Sequence, residues 1–200
     1  MRAVRFLVAP AFWLALSVPA MAEKLSLDEL STYLDGLKTA QANFTQFNGD
    51  GTRSTGTLYL KRPWKMRFEY NPPDQTLVLA ASLSVAIFDG KSNQPPETYP
   101  LKRTPLHLIL APNVDLKTAK MVVGHGYDNG VTTVFAQDPK NPEYGQLELR
   151  FTADPVRLQE WVVHDGGGGR TRVVLDELDR NVELKNSIFN IQLNSPEKNR

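Results

Sequence analysis

The chain has 200 residues, 23 Lys and Arg against 22 Asp and Glu, and no cysteine. That balance gives no bulk attraction to nucleic acid. Without cysteine, disulfides and a cysteine-linked lipid anchor are excluded.

Residues 1–22 read as an export leader. Arg2 and Arg5 make a basic start, Phe6 to Val18 an almost unbroken apolar run through Trp13 and Leu16, and Ala20-Met21-Ala22 a small-x-small cleavage site. The alternative, an uncleaved anchor, would need a longer run to span a bilayer comfortably. Cleavage predicts a mature chain starting at Glu23, with 21 basic and 22 acidic residues and a net charge of −1. No later stretch approaches transmembrane length, so residues 23–200 are expected as one soluble exported domain with a sizeable core.

The domain opens on a helix. Ser26 and Glu29 form a capping box, and Leu27, Leu30, Leu34 and Leu37 follow at helical spacing until Gly36 weakens the end. The period then changes to two. Strands are predicted at 42–48 around Phe44, at 55–61 and at 64–70. In the last, Trp64, Met66, Phe68 and Tyr70 alternate with Lys65, Arg67 and Glu69. Pro72-Pro73-Asp74 ends that strand, and 76–81 with 84–88 predicts a hairpin.

A proline-rich loop, Gln94-Pro95-Pro96, leads to Thr104-Pro105, a helix cap followed by proline at the first helical position. Residues 106–111 are a short apolar helical run, stopped by Pro112 and too short to stand alone. Strands are expected again at 119–125, 131–137, 145–152, 157–164 and 170–177. Turn signals separate them: Asp128-Asn129-Gly130, Asp138-Pro139, Asp154-Pro155 and the four glycines 166–169. A last strand or turn lies around 188–193, before a polar tail. This spacing is that of a barrel or curled sheet. The helical material is small for so many strands, which points to a cavity, although a sandwich satisfies the same pattern.

Chemistry is sparse. His107, His125 and His164 lie far apart, without metal-ligand spacing, and no nucleophile or phosphate-loop motif occurs. Asp176 and Glu177 are strand neighbours that point to opposite faces. Asn43-Phe44-Thr45 matches a glycosylation sequon inside an amphipathic strand. The reading is of a non-enzyme without cofactor or metal. By pattern alone, the aromatic stripe at 64–70 is either ordinary core or cavity lining, and Arg62 either a surface arginine beside a turn proline or something more.

Several segments together resemble the LolA family of periplasmic carriers for outer-membrane lipoproteins. The first helix followed by Ala42-Asn43-Phe44-Thr45-Gln46, then Gly56-Thr57-Leu58-Tyr59-Leu60-Lys61-Arg62-Pro63, resembles the start of that family with its G-x-L-x-x-K-R-P strand. Met66 to Tyr70, Pro72 to Gln75, the lid-like Thr104-Pro105-Leu106, Leu149 to Phe151 and Trp161 to Asp165, with Thr171, continue the match in order. Two positions depart from it: Ala80-Ala81-Ser82 stands where an Asp-Gly turn is common, and His107 stands where the lid is usually apolar.

The resemblance implies an incomplete antiparallel β-barrel, a half-barrel, mainly β with short helices, with a helical lid over a hydrophobic cavity. It implies a periplasmic, monomeric carrier of acylated lipoproteins. Its partners would be an inner-membrane ABC release complex of the LolCDE type and, as acceptor, a LolB-type protein or the outer membrane itself. Phe44, Met66, Phe68, Tyr70, Leu106, Ile109, Leu110 and Phe151 are the expected lipid-binding residues, and Arg62 the expected lid gate. Competing readings are an envelope-stress sensor built on the same half-barrel, a periplasmic hydrolase, and a filled structural β domain.

Overall fold

A computed structural model describes residues 23–92, 94–104 and 106–194. The export-leader reading, the proline that opens the lid helix and the end of the polar tail lie outside the described residues. Helix α1 spans Leu27–Gly36, and the Ser26–Glu29 capping box is formed in both directions. Leu30, Leu34 and Leu37 are buried and Leu27 partly so, because helical spacing places them on one stripe.

Among the described residues, eleven strands form one antiparallel path, in the order β6-β5-β4-β3-β2-β1-β11-β10-β9-β8-β7. The first meander holds β1 (Thr39–Phe47), β2 (Arg53–Lys61), β3 (Lys65–Tyr70), β4 (Leu77–Ala81), β5 (Ser84–Phe88) and β6 (Glu97–Pro100). After helix α2 (Leu106–Leu110), the second holds β7 (Val122–Asp128), β8 (Val131–Gln137), β9 (Gln146–Thr152), β10 (Arg157–His164) and β11 (Arg170–Leu175). A two-residue strand, β12 (Asp179–Arg180), pairs with Ala40 and Gln41 of β1 beside β11. The sheet does not close: β6 and β7 are its edges, and the segment between them carries α2.

Most expected strands are present, several with identical bounds. The differences have local causes. β7 lies later than 119–125, because residues 115–119 form a turn in which Asp115 accepts from the backbone N–H of Lys117 and Thr118. β6 falls in what reads as loop. Its four residues are all exposed, so no alternation marks it, and the proline is tolerated on an edge. β11 stops at Leu175, leaving Asp176 and Glu177 exposed beyond it. The region 188–193 holds two 3-10 turns, Asn186–Phe189 and Gln192–Asn194. The β4–β5 hairpin forms without an Asp-Gly pair: Ser82 and Leu83 take the left-handed conformation (φ 49° and 62°).

The concave face carries the main core, where α1 and α2 pack with inward residues of both meanders. The convex face has two coverings. Over β4 and β5, Leu79, Ala86 and Phe88 form a small second cluster with Ile191 of the C-terminal segment. Arg67 and Lys61 hold that segment by donating to the carbonyls of Ile188 (2.8 Å) and Leu184 (2.6 Å). Over β9 to β11, charge replaces hydrocarbon. Glu160 accepts from Arg150 (2.7 Å) and Arg172 (2.7 Å), and Glu148 pairs with Arg150 and His164 (2.6 Å).

Candidate functional site: a lidded apolar cavity

Register builds the concave face. Leu58 stands opposite Phe68, Leu60 opposite Met66, and Gly56 opposite both Tyr70 and Phe44 across its two neighbours. A Cβ at Gly56 would clash with the Phe44 ring (2.7 Å) and with the Glu69 carbonyl, so only glycine leaves room for that ring against β2. Phe44 makes edge contacts with Phe68 (5.7 Å) and Tyr70 (5.0 Å), and Phe68 with Trp161 (5.6 Å). The two meanders thus meet through aromatic rings across the floor of the half-barrel.

A cavity of about 260 Å³ lies against this cluster. Phe68, Tyr70 and Val78 wall one side, Leu147, Trp161, Val163 and Val173 the other, with Thr104 and Leu106 of the lid segment above. The polar groups at its border are few. Among them, the Tyr70 hydroxyl donates to Gln46 Oε1 (2.6 Å), and burial pushes its pKa up to about 12. The phenol therefore stays neutral at any physiological pH.

The expected lipid-binding residues divide into two groups. Phe68, Tyr70 and Leu106 border the cavity. Phe44, Met66, Ile109, Leu110 and Phe151 are buried in the adjoining packed core. Sequence reasoning missed Trp161, Val163 and Val173 as cavity walls, although Trp161 and Val163 stand two apart on one strand and so share a face. Trp64 is a correction to the β3 stripe. It sits in the turn before the strand with φ 67°, and its ring lies against His107 of α2 at the border of the main core.

Arg62 occupies the junction of three segments. Its side chain is only 3% exposed. It donates to the Leu34 carbonyl in the last turn of α1, to Asp35 Oδ1 (2.9 Å) and to the Ala111 carbonyl just past α2. Neither helix has an arginine or lysine in its own last turn, so Arg62 brings positive charge to the negative ends of both. Asp35 also accepts from the Val114 N–H (3.0 Å). Burial pushes the Asp35 carboxyl up, but the Arg62 and Val114 bonds outweigh it and hold the group below its ordinary 3.8. Nothing local in the sequence marks Asp35 as the partner of an arginine 27 residues away.

The histidines have separate partners: Trp64 for His107, the Leu25 carbonyl for His125 (2.9 Å) and Glu148 for His164. Among the described residues no three His, Cys, Asp or Glu side chains converge as metal ligands, and no helix is long and apolar enough to cross a membrane.

The family model described as "Outer membrane lipoprotein carrier protein LolA" matches residues 35–192. The chain belongs to the LolA family. It is 26% identical to an outer-membrane lipoprotein carrier protein of Chromohalobacter salexigens, over 96% of this chain and 95% of the relative. It is 27% identical to the protein of that name in Azotobacter vinelandii, over 96% of each. A solved domain from Vibrio parahaemolyticus, named for outer membrane lipoprotein sorting, matches the fold with a TM-score of 0.50 at 11% identity, covering 84% of this chain and 96% of that one. The matched LolA segment runs from Asp35, the partner of Arg62, across both meanders and the lid.

Proposed function

We propose that this LolA-family protein binds the acyl chains of lipoproteins on the concave face of its half-barrel and carries them through the periplasm from the inner to the outer membrane. The observation that carries this reading is an almost wholly apolar cavity beneath a lid whose end is clasped by one buried arginine. An acyl chain in water costs about 0.8 kcal/mol per methylene, so several chains cannot cross unescorted. The cavity, at about 260 Å³, lies below the roughly 300–1,000 Å³ of ordinary small-molecule sites. Cargo with several chains therefore requires α2 to lift, which brings Phe44, Met66, Ile109, Leu110 and Phe151 within reach of it.

Arg62 is the gate in this reading. A guanidinium presents donors in a fixed fork, so it can release the Ala111 carbonyl while keeping Leu34 and Asp35. An inner-membrane ABC complex of the LolCDE type loads the cavity, and a LolB-type acceptor or the outer membrane empties it. The protein acts as a soluble monomer and does no chemistry on its cargo.

The test is Arg62→Leu. The variant is expected to fold and to bind an apolar fluorescent probe, yet to deliver purified lipoprotein to outer-membrane acceptor at a small fraction of the wild-type rate. Delivery at the wild-type rate would remove Arg62 from the mechanism. Absence of saturable probe binding by the wild-type protein would remove the cavity.

A further inference from the structure

The lid is held unevenly, and one of its holders is a residue type that the carrier reading does not require. Trp64 follows Arg62 by two residues, in the turn between β2 and β3. Its backbone N–H donates to the carbonyl of Leu110, the last residue of α2 (3.0 Å). Its indole lies over the His107 ring, with centroids 5.2 Å apart and planes tilted by 37°. The contact spans a full turn of the lid, because the Ala111 N–H in turn donates to the His107 carbonyl (3.0 Å). Trp64 takes the left-handed conformation (φ 67°), which a bulky side chain rarely adopts and a glycine would adopt freely. The indole is thus kept at a local backbone cost, which its contact with the lid can offset.

At the other end of the lid segment the restraints are local. Thr104 donates to the Leu101 carbonyl through both its N–H and its hydroxyl (each 2.9 Å), and its own carbonyl accepts from the His107 N–H (3.1 Å). Thr104 and Leu106 border the cavity, Leu106 while also packing against the main core. We propose that Trp64 and His107 form a second clasp on the lid, independent of the Arg62 charge and at the same end of α2, so that lifting the lid must break both. Trp64 is a positioning residue in this account: it acts on cargo only through the lid. The proposal builds on the carrier reading, but its central measurement needs no cargo.

The experiment is hydrogen exchange of the lid peptide in the protein lacking the leader, comparing wild type with Trp64→Gly, Trp64→Phe and His107→Ala. Trp64→Gly suits the left-handed turn, so it removes the ring without adding backbone strain. Amides in residues 106–111 are expected to exchange roughly three- to tenfold faster in Trp64→Gly and His107→Ala, the ratio that one aromatic contact supports. Trp64→Phe should restore most of the protection. Strands β9 and β10 should be unchanged in all variants. Unaltered lid exchange in Trp64→Gly would overturn the clasp, as would acceleration spread evenly over the whole chain. Entry of an apolar fluorescent probe into the same variants then tests whether the clasp gates the cavity, with faster entry expected wherever the lid exchanges faster. A wild-type protein that takes up no probe, while its lid still loosens in Trp64→Gly, would sink the carrier reading and leave the clasp standing.

Discussion

The two ends of the concave face are built from the same kinds of side chain on the same strands, yet one is solid and the other is hollow. At the end held by Arg62, Leu60, Met66, Leu149 and Phe151 pack against Leu34 of α1 and against Ile109 and Leu110 of α2 with almost no exposure. At the other end, Phe68, Val78, Leu147, Trp161 and Val173 face space. The difference is one of cover. Helix α2 has five residues, a length of about 7.5 Å at 1.5 Å per residue, while the strands beneath it run to nine residues. A lid that short plugs one end of the half-barrel and leaves the other to a ligand. Hydrophobic composition alone therefore cannot separate a core from a cavity.

Truncations at the two ends should break this symmetry of composition. Phe151 is fully buried and meets Tyr33 of α1 edge-on at 6.0 Å. Phe151→Ala should cost about 3–5 kcal/mol in urea unfolding, through lost transfer energy and a cavity that its neighbours cannot fill. Val163, on the next strand but at the hollow end, is 40% exposed. Val163→Ala should cost about 1 kcal/mol or less. Equal costs would mean that the two ends are equally packed in solution and that the hollow is not a property of the fold.

Phe68 lies at the seam, touching Phe44 on the packed side and Trp161 on the cavity side. Phe68→Glu would set a carboxylate where no cation faces it, at a penalty of several kcal/mol for any apolar group brought beside it. Binding of an apolar fluorescent probe should fall by more than about tenfold. Phe68→Ala, which only widens the cavity, should retain binding and so separates lost affinity from lost fold. Wild-type affinity in Phe68→Glu would place the binding surface elsewhere.

The same contrast explains what the sequence made legible. Strict alternation on β3 and the capping box before α1 announce themselves, because each is a local rule obeyed by neighbouring residues. The lid helix is also legible from its apolar run. What Trp64 does is not, since an aromatic two places before Met66 extends the alternating pattern whether or not the strand has begun. β6 gives no pattern, because an exposed edge has no buried face to alternate with. The Arg62–Asp35 pair is invisible for a different reason: it joins a turn to a helix end through tertiary structure, and sequence spacing carries no record of that. The hollow itself left only an indirect trace, too little helix for so many strands.

The smallest effect concerns charge, and it too divides the ends. Tyr70, at the hollow end, is held neutral by burial, so that end should not respond to pH. Asp35, at the packed end, has its carboxyl depressed by Arg62 and Val114 against the opposing effect of burial. A depressed carboxylate binds fewer protons folded than unfolded. It adds stability above its ordinary value of 3.8, and that contribution is lost as the pH falls through the lower folded value. The Asp35 side chain is 37% exposed, so solvent screens the pair and its worth is that of an ordinary partly exposed ion pair, about 0.5–1 kcal/mol. Asp35→Asn should therefore lower the urea midpoint slightly at pH 7, and the gap from wild type should close as both proteins are taken below pH 3.8. Glu148 and the other depressed carboxylates titrate alike in both proteins, so the difference between them isolates Asp35. A gap that stays constant into acid would mean that Asp35 serves Arg62 by shape and hydrogen bonding, with its charge contributing nothing.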